Sequence, residues 1–222
     1  MKKKTLITML LALVAMTSAH AQCQYCNTYE DFLAGRWQPL DTVYCDTHSK
    51  SEKILLGIND FTLTTGDKTL DKNLKKEALI VKQADTLYVN CRNLRFEKTS
   101  FGNGYIKARR LGQKELLIVN KIIGMDVSAT AAVSSLVLGS IGSAWTASEQ
   151  MKQQVCYVIS NGANEKGRID IRLIDDELME QLVGKRKDLH DAYFAEENDT
   201  KRRLAAHIVP ILEKAGLLKQ GK

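Results

Sequence analysis

Four polar residues, Asn90, Arg92, Arg95 and Tyr105, are the group in this 222-residue chain best suited to recognising a ligand. Guanidinium groups offer a planar fork that matches a carboxylate or sulfate, an amide supplies both donor and acceptor, and a phenol adds a hydroxyl. If residues 86–91 form a strand, Asn90 and Arg92 share a face opposite Cys91, and a glycine-rich turn at 102–104 brings Tyr105 back towards them. Such a pocket would suit a carboxylate or a sulfated glycan. The plainer reading, preferred on spacing alone, is a sheet edge whose arginines pair with Asp or Glu.

Other chemistries are harder to assemble. Of the four histidines, His20 falls in an N-terminal leader, and His48, His190 and His207 stand at no metal-ligand spacing, so no metal and no cofactor are expected. Gly139, Ser140, Ile141 and Gly142 mimic only the ends of a nucleophile elbow, and no strand precedes them. An exported hydrolase, the second alternative, lacks a nucleophile–base pair. Residues 64–69 resemble a phosphate loop only superficially, because the earlier glycine is missing and Asp67 would repel phosphate. Asp175, Asp176 and Glu177 read as the start of a helix, with Asp175 as its N-cap.

Five cysteines bear on redox chemistry and compartment. Cys23 and Cys26 form a C-x-x-C pair without the strand and helix of a thioredoxin-type site, so a structural bridge from Cys23 or Cys26 to Cys45 is expected. Cys91 and Cys156 sit within apolar strand patterns and read as buried residues. The first residues support an oxidising destination. Lys2, Lys3 and Lys4, an apolar run at 6–16 and the Ala19-His20-Ala21 site predict a signal peptide over 1–21, cleaved after Ala21, and export to the periplasm, the cell surface or the medium. Loss of those three lysines would lower the formal net charge from +6 to +3. Mixed charges, without a basic cluster interleaved with aromatics, argue against a nucleic-acid partner.

The elements that must position these residues follow from periodicity. Residues 22–51 read as an N-terminal arm anchored by Phe32, Trp37, Val43 and Tyr44, ahead of a single domain over 52–222. Residues 54–63 read as a strand or bent hairpin. Residues 78–82 and 86–91 form a hairpin, with Leu87, Val89 and Cys91 on one face, and 105–110 and 115–120 form another. Together the four strands make a meander. Residues 155–160 and 168–173 add two strands, the second placing Ile169, Ile171 and Leu173 inward. A helix from Asp175 carries Leu178, Met179, Leu182 and Val183 on one face and continues past Gly184 to Leu189 and Tyr193. A last helix holds Leu204, Ile208, Ile211 and Leu212, with Pro210 bending it or opening its final turns.

No charge falls between Asp126 and Glu149. At helical spacing Ser135, Gly139, Ser143 and Ala147 line one flat face, through which another backbone can approach closely. A buried central helix over 125–148 is the preferred reading. Membrane insertion or self-association through those small residues is the alternative, and seven hydroxyl side chains between Val127 and Thr146 weaken it.

The block Leu87-Tyr88-Val89-Asn90-Cys91-Arg92-Asn93-Leu94-Arg95, followed by Phe101-Gly102-Asn103-Gly104-Tyr105, resembles a family of exported, uncharacterised proteins of Bacteroides-type bacteria. Its small-residue middle, Cys-Tyr strand and charged helical C-terminus are similar as well. The resemblance implies kinship over most of the mature chain and brings no activity, ligand or catalytic residue. The expected architecture is α+β: a mostly antiparallel meander of six or seven strands, the central helix, and a two-helix C-terminal segment. The expected function is that of an exported, non-enzymatic binding or envelope-associated protein.

Overall fold

The computed structural model describes residues 23–121, 154–162 and 169–219. Its first elements are β1 (Cys23–Cys26), α1 (Tyr29–Ala34), β2 (Gln38–Leu40), β3 (Tyr44–Thr47), α2 (Lys50–Leu56), β4 (Phe61–Thr64) and α3 (Lys68–Lys76). Then come β5 (Ile80–Gln83), β6 (Thr86–Asn90), a 3₁₀ turn (Cys91–Asn93), β7 (Arg95–Phe96), β8 (Thr99–Ser100), β9 (Tyr105–Leu111) and β10 (Glu115–Lys121). The last part holds β11 (Gln154–Asn161), β12 (Ile169–Leu173), α4 (Asp176–Val183), α5 (Lys187–Phe194), α6 (Asp199–Arg202), α7 (Ala205–Lys214) and β13 (Leu218–Lys219).

The fold is α+β, and its described residues build an eleven-stranded antiparallel sheet with the main order β12-β11-β10-β9-β6-β5-β1-β2. β5 and β6 meet at Ala84, whose φ of 48° suits a tight hairpin turn, and β9 and β10 meet at Gly112 with φ 62°. The expected meander is therefore present. β9 is the hub: it pairs with β6 and β10 along its length, with β13 at Leu111, and with β4 at Tyr105.

Alternation along the strands sorts the core into three clusters. On one face, Leu87, Val89, Ile106, Ala108, Leu116, Ile118, Val155 and Tyr157 pack with Tyr29 and Phe32 of α1 and with Phe101. On the other face, Leu117, Cys156 and Val158 are covered by Met179, Leu189, Tyr193, Ile208 and Leu212 of the C-terminal helices. Further along that face, Tyr25, Val81, Tyr88 and Tyr105 are covered by Leu74 of α3 and Leu63 of β4. Trp37 packs edge-on against Phe32, with ring centroids 6.0 Å apart.

Several expectations are corrected. The segment read as an arm supplies β1, which lies between β5 and β2 inside the sheet. Residues 50–56 form a helix, because Ser49 and Glu52 make a reciprocal capping box and Gly57, at φ 60°, ends it; only from Phe61 is the chain a strand. The helix from Asp175 stops at Val183, and Arg186 is extended before α5, so four short helices replace the two expected. All five cysteines are free. Cys23 packs with Tyr25 and Val81 while Cys26 packs with Leu79 and Ile80, so the C-x-x-C pair is divided between opposite faces of β1. Burial pushes the Cys26 and Cys156 thiols up to about 12, which leaves them poor nucleophiles. The leader 1–21, and the central stretch with Ser135, Gly139, Ser143 and Ala147, lie outside the described residues. Among the described residues, no helix is long and apolar enough to cross a membrane.

The C-terminal helices are tied by one carboxylate. Asp175 caps α4 through the Leu178 N–H at 2.9 Å, which leaves Asp176 to accept from the Arg202 guanidinium at 2.6 and 3.2 Å and from the Tyr193 hydroxyl at 2.8 Å. The hydrogen bonds from Arg202, and then from Tyr193, hold its carboxyl at about 2, below the usual 3.8. A depressed carboxylate contributes stability that is present above its ordinary value and is lost as pH falls through the folded one. Asp176→Asn should therefore lower the unfolding free energy by about 1–2 kcal/mol at neutral pH, after allowance for partial exposure. In urea unfolding measured at a series of pH values, the gap between the two proteins should close as the pH falls from about 4 to about 2.

Candidate functional site

Asn90 and Tyr105 do come together, as register partners on β6 and β9. Their polar atoms, however, are spent on α3. The Asn90 amide donates to the Leu74 and Ala78 carbonyls at 3.0 and 2.9 Å, with Lys75 O at 3.4 Å, while its oxygen accepts from the Arg92 N–H at 3.1 Å. The Tyr105 hydroxyl donates to Leu74 O at 2.5 Å. Burial pushes that phenol above its ordinary range and keeps it a donor. These two residues therefore satisfy the carbonyls that the end of a helix leaves without partners.

The arginines do not converge. Arg92 stands in the 3₁₀ turn, its guanidinium 3.4 Å from Asn103 Oδ1, and Arg95 is exposed on β7 opposite Ser100. Among the described residues neither forms an ion pair, so the expected sheet edge of Arg–carboxylate pairs is not what they make.

A cavity of about 420 Å³ opens beside Asn90 and Tyr105, between α3, the β3–β4 hairpin and the turn at 102–104. Ile58, Leu63 and Tyr105 give it apolar walls; His48, Thr62, Asp71, Lys75 and Asn103 give it polar ones. Asp67 caps α3 by accepting from the Thr69 and Leu70 N–H groups, both at 2.8 Å, which uses the helix start that a phosphate would need. Thr65 then donates its backbone N–H and its hydroxyl to one oxygen of Asp71, a residue that lines the cavity.

Asn59 holds the far wall. It is buried, and its amide donates to Phe101 O and Asn103 O at 2.9 Å each while its side-chain oxygen accepts from Asn120 at 3.0 Å. Gly102 and Gly104 adopt φ of 90° and 91° here, and a Cβ on either would lie 2.6 Å from Gly57 O or 2.9 Å from Phe61 O, so only glycine fits. The Asn59 carbonyl accepts from His48 Nδ1 at 2.6 Å, which leaves Nε2 as the acceptor for the Thr62 hydroxyl at 3.0 Å.

A hydroxyl bonded to an imidazole has the outline of a nucleophile and its base. The orienting group is a neutral carbonyl, with no carboxylate to stabilise an imidazolium, and Thr62 is exposed. The arrangement positions two polar groups in the wall. The other described histidines assemble no chemistry: His207 faces Tyr193 O at 2.9 Å and His190 faces Glu180 at 3.0 Å. No group of His, Cys, Asp and Glu able to hold a metal occurs among the described residues.

Spacing gave no sign of His48, Thr62, Asp71 and Lys75 as a set. His48 and Thr62 meet only because α2 folds out between their strands. Asp71 and Lys75, one turn apart on a helix, are the one pair that periodicity could have placed together.

If Asn90 and Tyr105 serve α3, their truncations should differ. Tyr105→Phe should cost about 1 kcal/mol, since Leu74 O keeps Asn90 as a donor, and Asn90→Ala about 2–3 kcal/mol, since the buried Ala78 O loses its side-chain donor and the Arg92 N–H its acceptor while Leu74 O keeps Tyr105. Urea denaturation of the two variants measures this.

No curated protein and no solved structure matches the chain. A family model does match, over residues 24–219, and so takes in the β1 that opens the sheet, the cavity, the central stretch and the C-terminal helices. With nearly the whole sequence covered, the chain belongs to the family of unknown function DUF6563.

Proposed function

We propose that this protein is an exported, non-enzymatic binding protein of the cell envelope, and that its ligand occupies the cavity beside α3. The observation that carries the reading is the make-up of that cavity. Apolar walls from Ile58, Leu63 and Tyr105 surround a few polar groups, which is the composition of small-molecule sites, and its volume falls in their range. The leader-like residues 1–21 support export. Binding without catalysis is supported by the state of the polar residues, since Asn90, Tyr105 and His48 have their hydrogen bonds committed within the protein.

A second reading rests on the register of β10 and β11. Lys121 and Gln154, which flank the uncharged stretch in the sequence, are register partners on the sheet. That geometry lets residues 127–147 meet a bilayer or a second copy while the sheet stays where it is. An alkaline carbonate wash of the membranes separates the two readings. Retention in the pellet, lost in the Gly139→Leu/Ser143→Leu variant, would favour the second.

The first reading is tested by thermal shift of the mature chain against a small-metabolite library. A ligand at about 100 times its Kd should raise Tm by roughly 5–10 °C for a chain of this size. Thr64→Trp, which fills the cavity from β4, should abolish the rise. Hits that persist in this variant would refute the site.

A further inference from the structure

The geometry points to a ligand that is a small zwitterion with an apolar side chain, of the class of neutral α-amino acids, held between Asp71 and Lys75; this rests on the reading of the cavity as the binding site. Asp71 and Lys75 stand one turn apart on α3 and both line the cavity. An acid followed by a base at this spacing ordinarily forms a surface pair. Here they do not pair with each other, and Lys75 has no ion pair among the described residues.

Thr65 explains half of this. Its N–H and hydroxyl hold one Asp71 oxygen, and the second oxygen has no donor among the described residues. The cavity therefore presents one negative and one positive group side by side. A simple carboxylate would gain Lys75 and be repelled by Asp71, and a simple amine would meet the reverse. A dipolar ligand satisfies both. The two charges of an α-amino acid are about 3 Å apart, which suits side chains whose Cβ atoms are about 5–6 Å apart on one helix face.

The remaining groups fit the same ligand. Asn103 Oδ1 accepts from Arg92, and its amide N–H₂, which has no acceptor among the described residues, is free to support a carboxylate beside Lys75. The Thr62 hydroxyl gives its hydrogen to His48 Nε2 and keeps lone pairs for an ammonium beside Asp71. Ile58, Leu63 and the Tyr105 ring receive the side chain.

The experiment follows the amide signals of Thr64, Asn103 and Gly104 in ¹⁵N-labelled mature protein titrated with L-phenylalanine, N-acetyl-L-phenylalanine and L-phenylalaninamide. Phenylalanine should move these signals, and each blocked form should bind on the order of tenfold more weakly, as expected for loss of one charge-assisted contact. Asp71→Asn, which keeps an oxygen for Thr65, should erase the preference over the N-acetyl form alone, and Lys75→Met the preference over the amide alone. Equal binding of all three probes, or preferences unmoved by both variants, would overturn the zwitterion while leaving the cavity as a binding site. Silence of these signals towards all three probes, with a library hit that Thr64→Trp removes, would overturn the ligand class alone. Silence towards the probes with no such hit would overturn both.

Discussion

Asn59 is buried, and its polar atoms are spent inside the protein. Its side chain donates to two carbonyls of the 101–104 turn and accepts from Asn120 at the end of β10, its N–H donates to Asn103 O at 2.8 Å, and its carbonyl fixes His48. One residue thus joins β10, the glycine turn and the β3–β4 hairpin. An amide in this position is costly to leave unpaired and has no slack in pairing, so the three segments have a single relative arrangement. Where the cavity lies follows from that arrangement.

Local chemistry made much of the sheet legible. Alternating apolar residues and short turns define the β5–β6 and β9–β10 hairpins, and Asp175 marks the start of α4, because each signal is contained within a few neighbouring residues. Failures came where two local signals compete. The apolar run at residues 54–56 looks like part of a strand, yet the capping box at Ser49 and Glu52 starts a helix before that run is reached. Gly184 interrupts a continuous apolar stripe that periodicity would carry through.

The site was legible only in part, for a different reason. Asn90 and Tyr105 were drawn together correctly, because a meander brings β6 and β9 side by side. Their role was not, because the groups they bind are the backbone carbonyls of a helix beginning over twenty residues before Asn90, and carbonyls leave no trace in residue types. Strand alternation would put Arg92 on the Asn90 face, but Arg92 stands in a 3₁₀ turn, started when the Asn90 side chain accepts from the Arg92 N–H, and Arg95 follows on β7. The cysteines show a related limit: spacing suggests C-x-x-C, but three residues along a strand is an odd step, and it carries the second thiol through the sheet.

The register of β10 and β11 has a bearing on how this chain can vary. Lys121 and Gln154 face each other, so everything numbered between them is a single connection between two paired strands. The entropy of closing such a connection rises only with the logarithm of its length, by about 0.6 kcal/mol for each doubling. Residues can be gained, lost or exchanged there without moving either strand or the cavity, which lies in residues 48–105. The residues around the cavity and those of the central stretch are in that sense free to evolve at different rates.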